Sequence, residues 1–187
     1  MADTPGLRYV RLMHAPPIRD AAAQDHAAAI ASFLSSARAV PDARWEQPRG
    51  DDGWSPAQVC EHVRLSYELV FDELRGGAGF RVRTTWWRQR LLQWRVLPRI
   101  LSSGRMPAGV RAPREIRPPA GPYPRDALLA ALARVADEVQ ATLVRRWSDA
   151  DCRVTHHLIG RLEPARAMPL LATHTRHHGR QLDAMLG

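Results

Sequence analysis

Residues 54–76 read WSPAQVCEHVRLSYELVFDELRG and contain the clearest helix start of the chain. Ser55 can cap a helix, Pro56 suits the first helical position, and Gln58 completes a Ser-x-x-Gln capping box. At about 100° per residue, the charged side chains, beginning with Glu61, fall on one narrow arc and the apolar side chains lie opposite. The segment therefore predicts an amphipathic helix from Ser55 onward, with one solvent-facing side and one buried side.

Hydrophobic residues at helical spacing predict three further long helices. The first covers about 20–40, the third covers about 124–147, and the last ends at Leu186. The last helix begins at Pro164 or at Pro169, because a helix that started at Pro164 would meet Pro169 inside it and would kink there. No strand-like alternation stands out, so the sequence predicts an all-α fold.

The helical pattern breaks between the second and third long helices, over residues 77–123. A short extra helix is predicted at 86–95, followed by a Pro- and Gly-rich stretch. A connection this long lets the second and third helices run parallel, as in a four-helix bundle with a crossover. We therefore predict one bundle domain over 1–187, with an N-terminal extension at 1–19 and a crossover insert at 77–123.

Composition limits the protein class. The chain has 187 residues, of which 45% are hydrophobic and 25% are charged, which suits one domain with a real core. All 27 basic residues are arginine, against 19 acidic residues, so the net charge is +8. Such an excess can indicate nucleic-acid binding, but uniform use of arginine is also a compositional habit of some genomes. Charge alone therefore favours a nucleic-acid partner only slightly.

Cysteine content and hydropathy bear on the compartment. The chain has two cysteines, Cys60 and Cys152, which are too few for a disulfide framework and form no Cys-x-x-Cys pair. No apolar run approaches the roughly 20 residues that a membrane span requires, or the length of a signal peptide. These features predict a cytoplasmic protein with no membrane span.

Two histidines of the last helix lie on its apolar side. His174 and His178 are four residues apart, so they stack on one face, and Gln181 continues the same row. Apolar residues surround this row on the helical wheel, while the arginines and Asp183 lie opposite. Both imidazoles are therefore expected to point into the core.

Buried imidazoles need partners, because each unsatisfied polar group costs on the order of 1–3 kcal/mol. A metal ion would satisfy His174 and His178 together, and His62 lies on the buried arc of the second helix as a third ligand. The alternative is three structural histidines satisfied by the backbone, by Gln181 or by water. Spacing alone leaves both interpretations open, and the candidate ligands of a three-histidine metal site are His62, His174 and His178.

Two other residues could support such a site. His177 lies three residues from His174 but about 60° to the side, so it is expected near the ligands or at the surface. Glu138 lies at the edge of the third helix's core stripe. It could orient a ligand imidazole or act as a base, and the alternative is an ordinary boundary charge.

The remaining histidines have structural interpretations. His26 falls on the apolar side of the first helix. If the first and second helices are antiparallel, it lies about 10 Å along the axis from His62, so it is expected to be packed or at a rim. His14, His156 and His157 lie in connecting segments and are expected to be exposed, although His156 and His157 could line a pocket mouth.

Tryptophan and arginine alternate in the crossover, over residues 81–99. Aromatic side chains stack on bases and arginines pair with phosphates, so the segment could be a nucleic-acid platform or a membrane-surface helix. It could also be a lid that recognises an anionic substrate, or an insert packed on the bundle. The last interpretation is favoured.

Two stretches resemble the DinB-like (DinB/YfiT) superfamily of metal-binding four-helix-bundle proteins. They are WSPAQVCEH at 54–62 and HTRHHGRQL at 174–182. In that family a Trp-Ser start followed by a helical histidine supplies one metal ligand, and a His-x-x-x-His on the last helix supplies two, which matches the three histidines above. The resemblance covers most of the chain and implies an up-down-down-up bundle.

The resemblance also implies a function. The better understood members of the family are thiol S-transferases and isomerases that use mycothiol, bacillithiol or glutathione, so we expect a metal-dependent S-transferase with a small thiol as cosubstrate. The alternatives are a non-catalytic metal-binding bundle that binds a ligand or partner, a metal-dependent hydrolase, and a basic nucleic-acid-binding domain, for which no docking motif is present. A homodimer is compatible with a small bundle.

The expected metal is a divalent ion. Three imidazoles leave two or three coordination positions open, which is typical of a catalytic or substrate-binding metal rather than a closed structural site. Imidazole binds zinc, nickel, iron and copper alike, and zinc or nickel is favoured here.

Overall fold

The computed structural model describes residues 16–50, 53–107 and 110–186. In chain order the elements are α1 (Pro16–Ala39), α2 (Asp42–Trp45), α3 (Pro56–Leu74), α4 (Trp86–Leu91), a π-helix (Leu92–Val96), α5 (Leu97–Ser103), a 3-10 helix (Arg114–Ile116), α6 (Arg125–Arg145), β1 (Val154–His156), β2 (Gly160–Leu162) and α7 (Pro164–Leu186). The four long helices α1, α3, α6 and α7 confirm the predicted bundle. His14 and most of the predicted extension at 1–19 lie outside the described residues, and residues 16–19 belong to α1.

Helices α1 and α7 run in the same direction. Asp25 on α1 pairs with Arg176 on α7. Farther along both helices, the Arg44 guanidinium, just beyond α1, donates to the carbonyl oxygen of Met185 over 3.0 Å. The two residue numbers rise together at both contacts, so the helices are parallel.

Helix α6 runs against α1. The ring of His26 lies 2.8 Å from the side-chain oxygen of Gln140, whereas Asp42, beyond the end of α1, pairs with Arg125 at the start of α6. The residue number rises on one helix and falls on the other. The crossover therefore returns the chain to the end of the bundle where α1 finishes.

Helix α3 also runs against its neighbour α7. The Tyr67 hydroxyl lies 2.9 Å from Thr175 Oγ1, and the ring of His62 lies 4.7 Å from that of His178 between centroids. Both α3 and α6 are therefore antiparallel to the α1 and α7 pair. This confirms the up-down-down-up order, with α3 and α6 parallel.

The crossover contains more helix than the sequence predicted. In place of one short helix at 86–95, α4, the π-helix and α5 follow one another from Trp86 to Ser103. Pro98 has no N–H to continue an α-helical ladder, and the wider π turn lies just before α5, where such irregularities are usual. Leu97 and Ile100 are buried and anchor this segment on the bundle.

A small β-hairpin, which the sequence did not indicate, precedes α7 and leaves the fold mainly α-helical. Strands β1 and β2 pair antiparallel, with Val154 opposite Leu162 and His156 opposite Gly160. Each strand has three residues, which is too short to show period-two alternation. Gly160 has a φ of 83°, and a Cβ there would collide with the side-chain amide of Gln89, so the hairpin packs closely on α4.

Helix α7 begins at Pro164, so the alternative of a later start at Pro169 is wrong. Pro169 lies inside the helix, where the Thr173 hydroxyl donates to its carbonyl oxygen over 2.9 Å.

In the described part of the chain, no helix combines the length and the apolar character that crossing a membrane requires.

Candidate metal centre

Three histidines from two antiparallel helices meet at one point. His62 comes from α3, and His174 and His178 come from successive turns of α7. One ring nitrogen of each lies within 4.8 Å of the others, and the Nε2 atoms of His174 and His178 are 3.1 Å apart. Nitrogen atoms bound about 2.0–2.1 Å from one ion would be about 3.0–3.4 Å apart, so the spacing of the His174 and His178 nitrogens suits a shared divalent metal.

Hydrogen bonds behind two of the rings determine which nitrogen faces the cluster. His62 Nδ1 lies 2.8 Å from the carbonyl oxygen of Ile116, and His178 Nδ1 lies 3.0 Å from Gln181 Oε1. Because these oxygens only accept, each Nδ1 carries the proton and each Nε2 keeps its lone pair. Metal-binding histidines are commonly held in this way.

Burial keeps all three rings neutral near pH 7. It lowers the pKa of His62 to about 4 and that of His178 to about 3. Burial also holds the pKa of His174 well below its usual value, and the neighbouring His178 and His62 lower it further. The cluster therefore offers uncharged nitrogen donors, the form in which histidine binds a metal.

The start of α3 sets the position of His62. The predicted capping box is present, with the Ser55 side chain accepting from the Gln58 N–H over 3.2 Å and Gln58 Oε1 accepting from the Ser55 N–H over 3.0 Å. The preceding Trp54 packs its ring against that of His62, with centroids 4.8 Å apart. The cap and the indole together fix the histidine at the second turn of the helix.

The solvent-facing side predicted for α3 needs one correction. Glu61 is only 5% exposed, and both of its carboxylate oxygens accept hydrogen bonds from Arg64, over 2.7 and 2.8 Å. The crossover returns over this part of α3, where the 3-10 helix packs. Helix phase alone does not reveal such a covering segment.

The supporting residues suggested by the sequence lie in different places. Gln181 binds His178, as described above, and His177 is half-buried beside the cluster, with its ring 5.0 Å from that of His178. The structure does not bring Glu138 to the site. Its neighbour Val139 faces the core, and Glu138 is exposed on α6.

The three histidines open onto a cavity of about 570 Å³. Its walls come from α3, the crossover, the hairpin and α7, and they are mainly apolar. Among the apolar wall residues are Val70, Phe80, Leu92, Val96, Ile100, Met106, Val110, Leu158, Leu170 and Leu171. Polar groups include Ser66, Thr155 and Arg111. The arrangement is typical of a small-molecule site, in which a few polar groups face an apolar chamber.

His156 and His157 line this cavity, and the expectation that they are exposed loop residues is wrong. The turn of the hairpin folds back, so that the backbone N–H groups of Leu158 and Ile159 both donate to His156 Nδ1, over 3.2 Å each. Burial lowers the pKa of His156 to about 3, so the ring is neutral and its proton is on Nε2. Sequence reasoning allowed a place at a pocket mouth but missed this fixed tautomer.

His26 is a packed structural histidine, one of the two places expected for it. It is 1% exposed, and its two ring nitrogens bind the Gln140 side chain and the Tyr67 hydroxyl, each over 2.8 Å.

Both cysteines are buried and unpaired, and neither belongs to the histidine cluster.

A family model matches most of the chain. It is the model of the DinB superfamily, and it covers residues 25–182. The matched region contains all three clustered histidines, the crossover and the hairpin. No curated protein and no solved structure matches the chain.

Proposed function

Because the chain belongs to the DinB superfamily, we propose that it is a metal-dependent S-transferase for a small thiol. His62, His174 and His178 hold a divalent ion, with zinc or nickel preferred. The observation that carries the proposal is the convergence of three neutral imidazoles at one side of an apolar cavity. The described residues supply no fourth histidine, cysteine or carboxylate ligand to this group. The side toward the cavity is therefore available to a substrate.

The chemistry needs a thiolate near neutral pH. A divalent ion at the three histidines would supply Lewis acidity that favours the thiolate of a bound cosubstrate over its thiol. Ile116 and Gln181 hold the Nδ1 protons of His62 and His178. The other ring nitrogen of each histidine therefore keeps its lone pair for a metal ion. The apolar walls exclude water from the same space and so disfavour competing hydrolysis.

The cavity also limits the acceptor. Its volume of about 570 Å³ accommodates a small organic molecule, and its walls favour an apolar electrophile. Arg111 is the one Arg, Asp or Glu among the described wall residues. We assign it to a carboxylate or other anionic group of the thiol cosubstrate.

A conjugation assay tests the proposal. Protein loaded with zinc or nickel is incubated with mycothiol, bacillithiol or glutathione and with monochlorobimane, an apolar electrophile. In the reaction a carbon–sulfur bond forms, chloride leaves, and the thiol proton passes to solvent. We expect one thiol to give fluorescent conjugate well above the uncatalysed rate.

Two double variants serve as comparisons in this assay. His174→Ala/His178→Ala removes two ring donors and should lose the conjugation. Arg180→Ala/Asp183→Ala changes exposed positions on the same helix and should retain it. Metal-loaded protein that conjugates none of the three thiols would contradict the transferase and favour a non-catalytic metal-binding bundle.

A further inference from the structure

The crossover presents large apolar side chains on its outer side. Trp86, Trp87, Leu91 and Trp94, here called the tryptophan face, are 75%, 51%, 48% and 71% exposed. Trp87, Leu91 and Trp94 are spaced four and three residues apart along one helical segment, so they share a side. Indole groups in water are costly, and a contiguous exposed apolar patch usually marks an interaction surface.

The tryptophan face lies in the most basic part of the chain. Residues 74–114 contain ten arginines and no aspartate or glutamate, whereas the other 17 arginines are outnumbered by all 19 acidic residues. The net positive charge of the protein therefore resides in the crossover. Guanidinium groups also lie over two of the indoles, Arg88 over Trp87 at 5.1 Å and Arg95 over Trp94 at 5.4 Å.

We propose that the tryptophan face binds the surface of an anionic lipid membrane. Tryptophan prefers the membrane interface, where its ring lies among the headgroups and its N–H stays hydrated, and arginine pairs with lipid phosphate. Each basic residue near an anionic surface adds to the attraction. The arginines and the tryptophans therefore lie in the same segment, and both suit an anionic membrane surface.

The exposed aliphatic side chains of the crossover favour lipid over nucleic acid. Leu91 belongs to the tryptophan face, and Val82 and Val110 are also exposed in the crossover. Bases stack on flat rings and gain little from aliphatic groups, whereas acyl chains contact both. A second copy of the chain is disfavoured because two arginine-rich crossovers would repel each other.

The inner side of the same segment forms part of the cavity wall. Leu92 and Val96, between and beyond the exposed residues, line the apolar cavity. A membrane-bound crossover would place the wall of that cavity beside the bilayer. Apolar compounds concentrated in the membrane are then close to the cavity. This proximity does not depend on which reaction the site carries out.

Vesicle sedimentation tests the proposal with the full chain. Wild-type protein should co-sediment with vesicles of phosphatidylcholine and phosphatidylglycerol, and much less with phosphatidylcholine alone, and tryptophan emission should shift to shorter wavelength on binding. Trp86→Ser/Trp87→Ser/Trp94→Ser should weaken binding by on the order of tenfold or more. The exposed pair on other helices, Ile18→Ser/Leu186→Ser, should bind as wild type does.

Charge variants separate the two contributions. Neutralising Arg88, Arg90 and Arg95 to Gln should reduce binding to anionic vesicles by on the order of tenfold or more. A matched triple on exposed helix positions is Arg38→Gln/Arg134→Gln/Arg145→Gln. The matched triple should lose far less.

Equal sedimentation with both vesicle types would overturn the proposal. So would an unchanged affinity in the triple serine variant, or self-association that buries the tryptophan face in the absence of lipid. Tight salt-dependent binding to single-stranded DNA with no binding to anionic vesicles would also overturn it and would assign the surface to nucleic acid.

Discussion

His62 Nδ1 lies 2.8 Å from the carbonyl oxygen of Ile116, so the crossover holds one of the three clustered histidines in place. Ile116 is buried in the 3-10 helix of the crossover and also lines the cavity. The same segment therefore orients a metal-binding ring and bounds the space in front of it. Movement of the crossover would change both the orientation of the His62 ring and the shape of the cavity.

The second orienting hydrogen bond predicts an effect of Gln181 on metal affinity. Gln181→Leu removes the acceptor for the His178 Nδ1 proton and should weaken zinc binding about 10–100-fold, as loss of such partners does elsewhere. Gln181→Glu keeps an acceptor oxygen and should stay closer to wild type. Isothermal titration with zinc measures both variants, and a leucine variant with wild-type affinity would contradict the assigned role.

The capping box predicts the cost of losing its serine. Ser55 is 1% exposed, and its hydroxyl satisfies the Gln58 N–H at the start of α3. Ser55→Ala should lower the free energy of unfolding by about 1 kcal/mol. Ser102→Ala, at an exposed position, should change it by less than about 0.5 kcal/mol. If urea denaturation gave equal free energies of unfolding for the two variants, the Ser55 cap would not stabilise α3.

Buried neutral histidine predicts that acid destabilises the fold. Burial lowers the pKa of His26 from 6.5, so the folded protein keeps this ring neutral while the unfolded chain takes up a proton below about pH 6.5. The unfolded state then binds more protons, and stability falls as the pH drops. His26 contributes up to about 1.4 kcal/mol per pH unit below the unfolded pKa until the folded pKa is reached.

A variant isolates the His26 contribution from that of the other buried histidines. His26→Gln should be less stable at pH 7, because the hydrogen bonds to Gln140 and Tyr67 are disturbed. Between pH 7 and pH 5 its free energy of unfolding should fall less steeply than that of the wild type. Urea unfolding over this range gives both slopes, and identical slopes would show that His26 takes up no proton on unfolding.

The bundle and the histidine triad could be predicted because they depend on local periodicity. The spacing of His174 and His178 places both rings on one face of a helix, and the phase of the capped helix places His62 on its buried side. Glu138 shows where phase is insufficient. It lies one residue from the core-facing Val139, and the packing of α6 turns it to solvent.

The cavity could not be predicted in the same way. Its outer walls come from the crossover and the hairpin, where Pro, Gly and short elements leave no period to read. The Ile116 carbonyl that orients His62 is a backbone group, which residue identity does not reveal. The fixed tautomer of His156 likewise depends on a three-residue strand and a tight turn.

Metal content is the direct test of whether His62, His174 and His178 hold an ion. Protein purified without chelators or a histidine tag is incubated with zinc or nickel, freed of excess ion and examined by elemental analysis, beside the two double variants on α7. Wild type and Arg180→Ala/Asp183→Ala should each hold about one equivalent of metal, and folded His174→Ala/His178→Ala should hold none. Metal-free wild type, or an unchanged metal content in the histidine variant, would contradict the three-histidine centre.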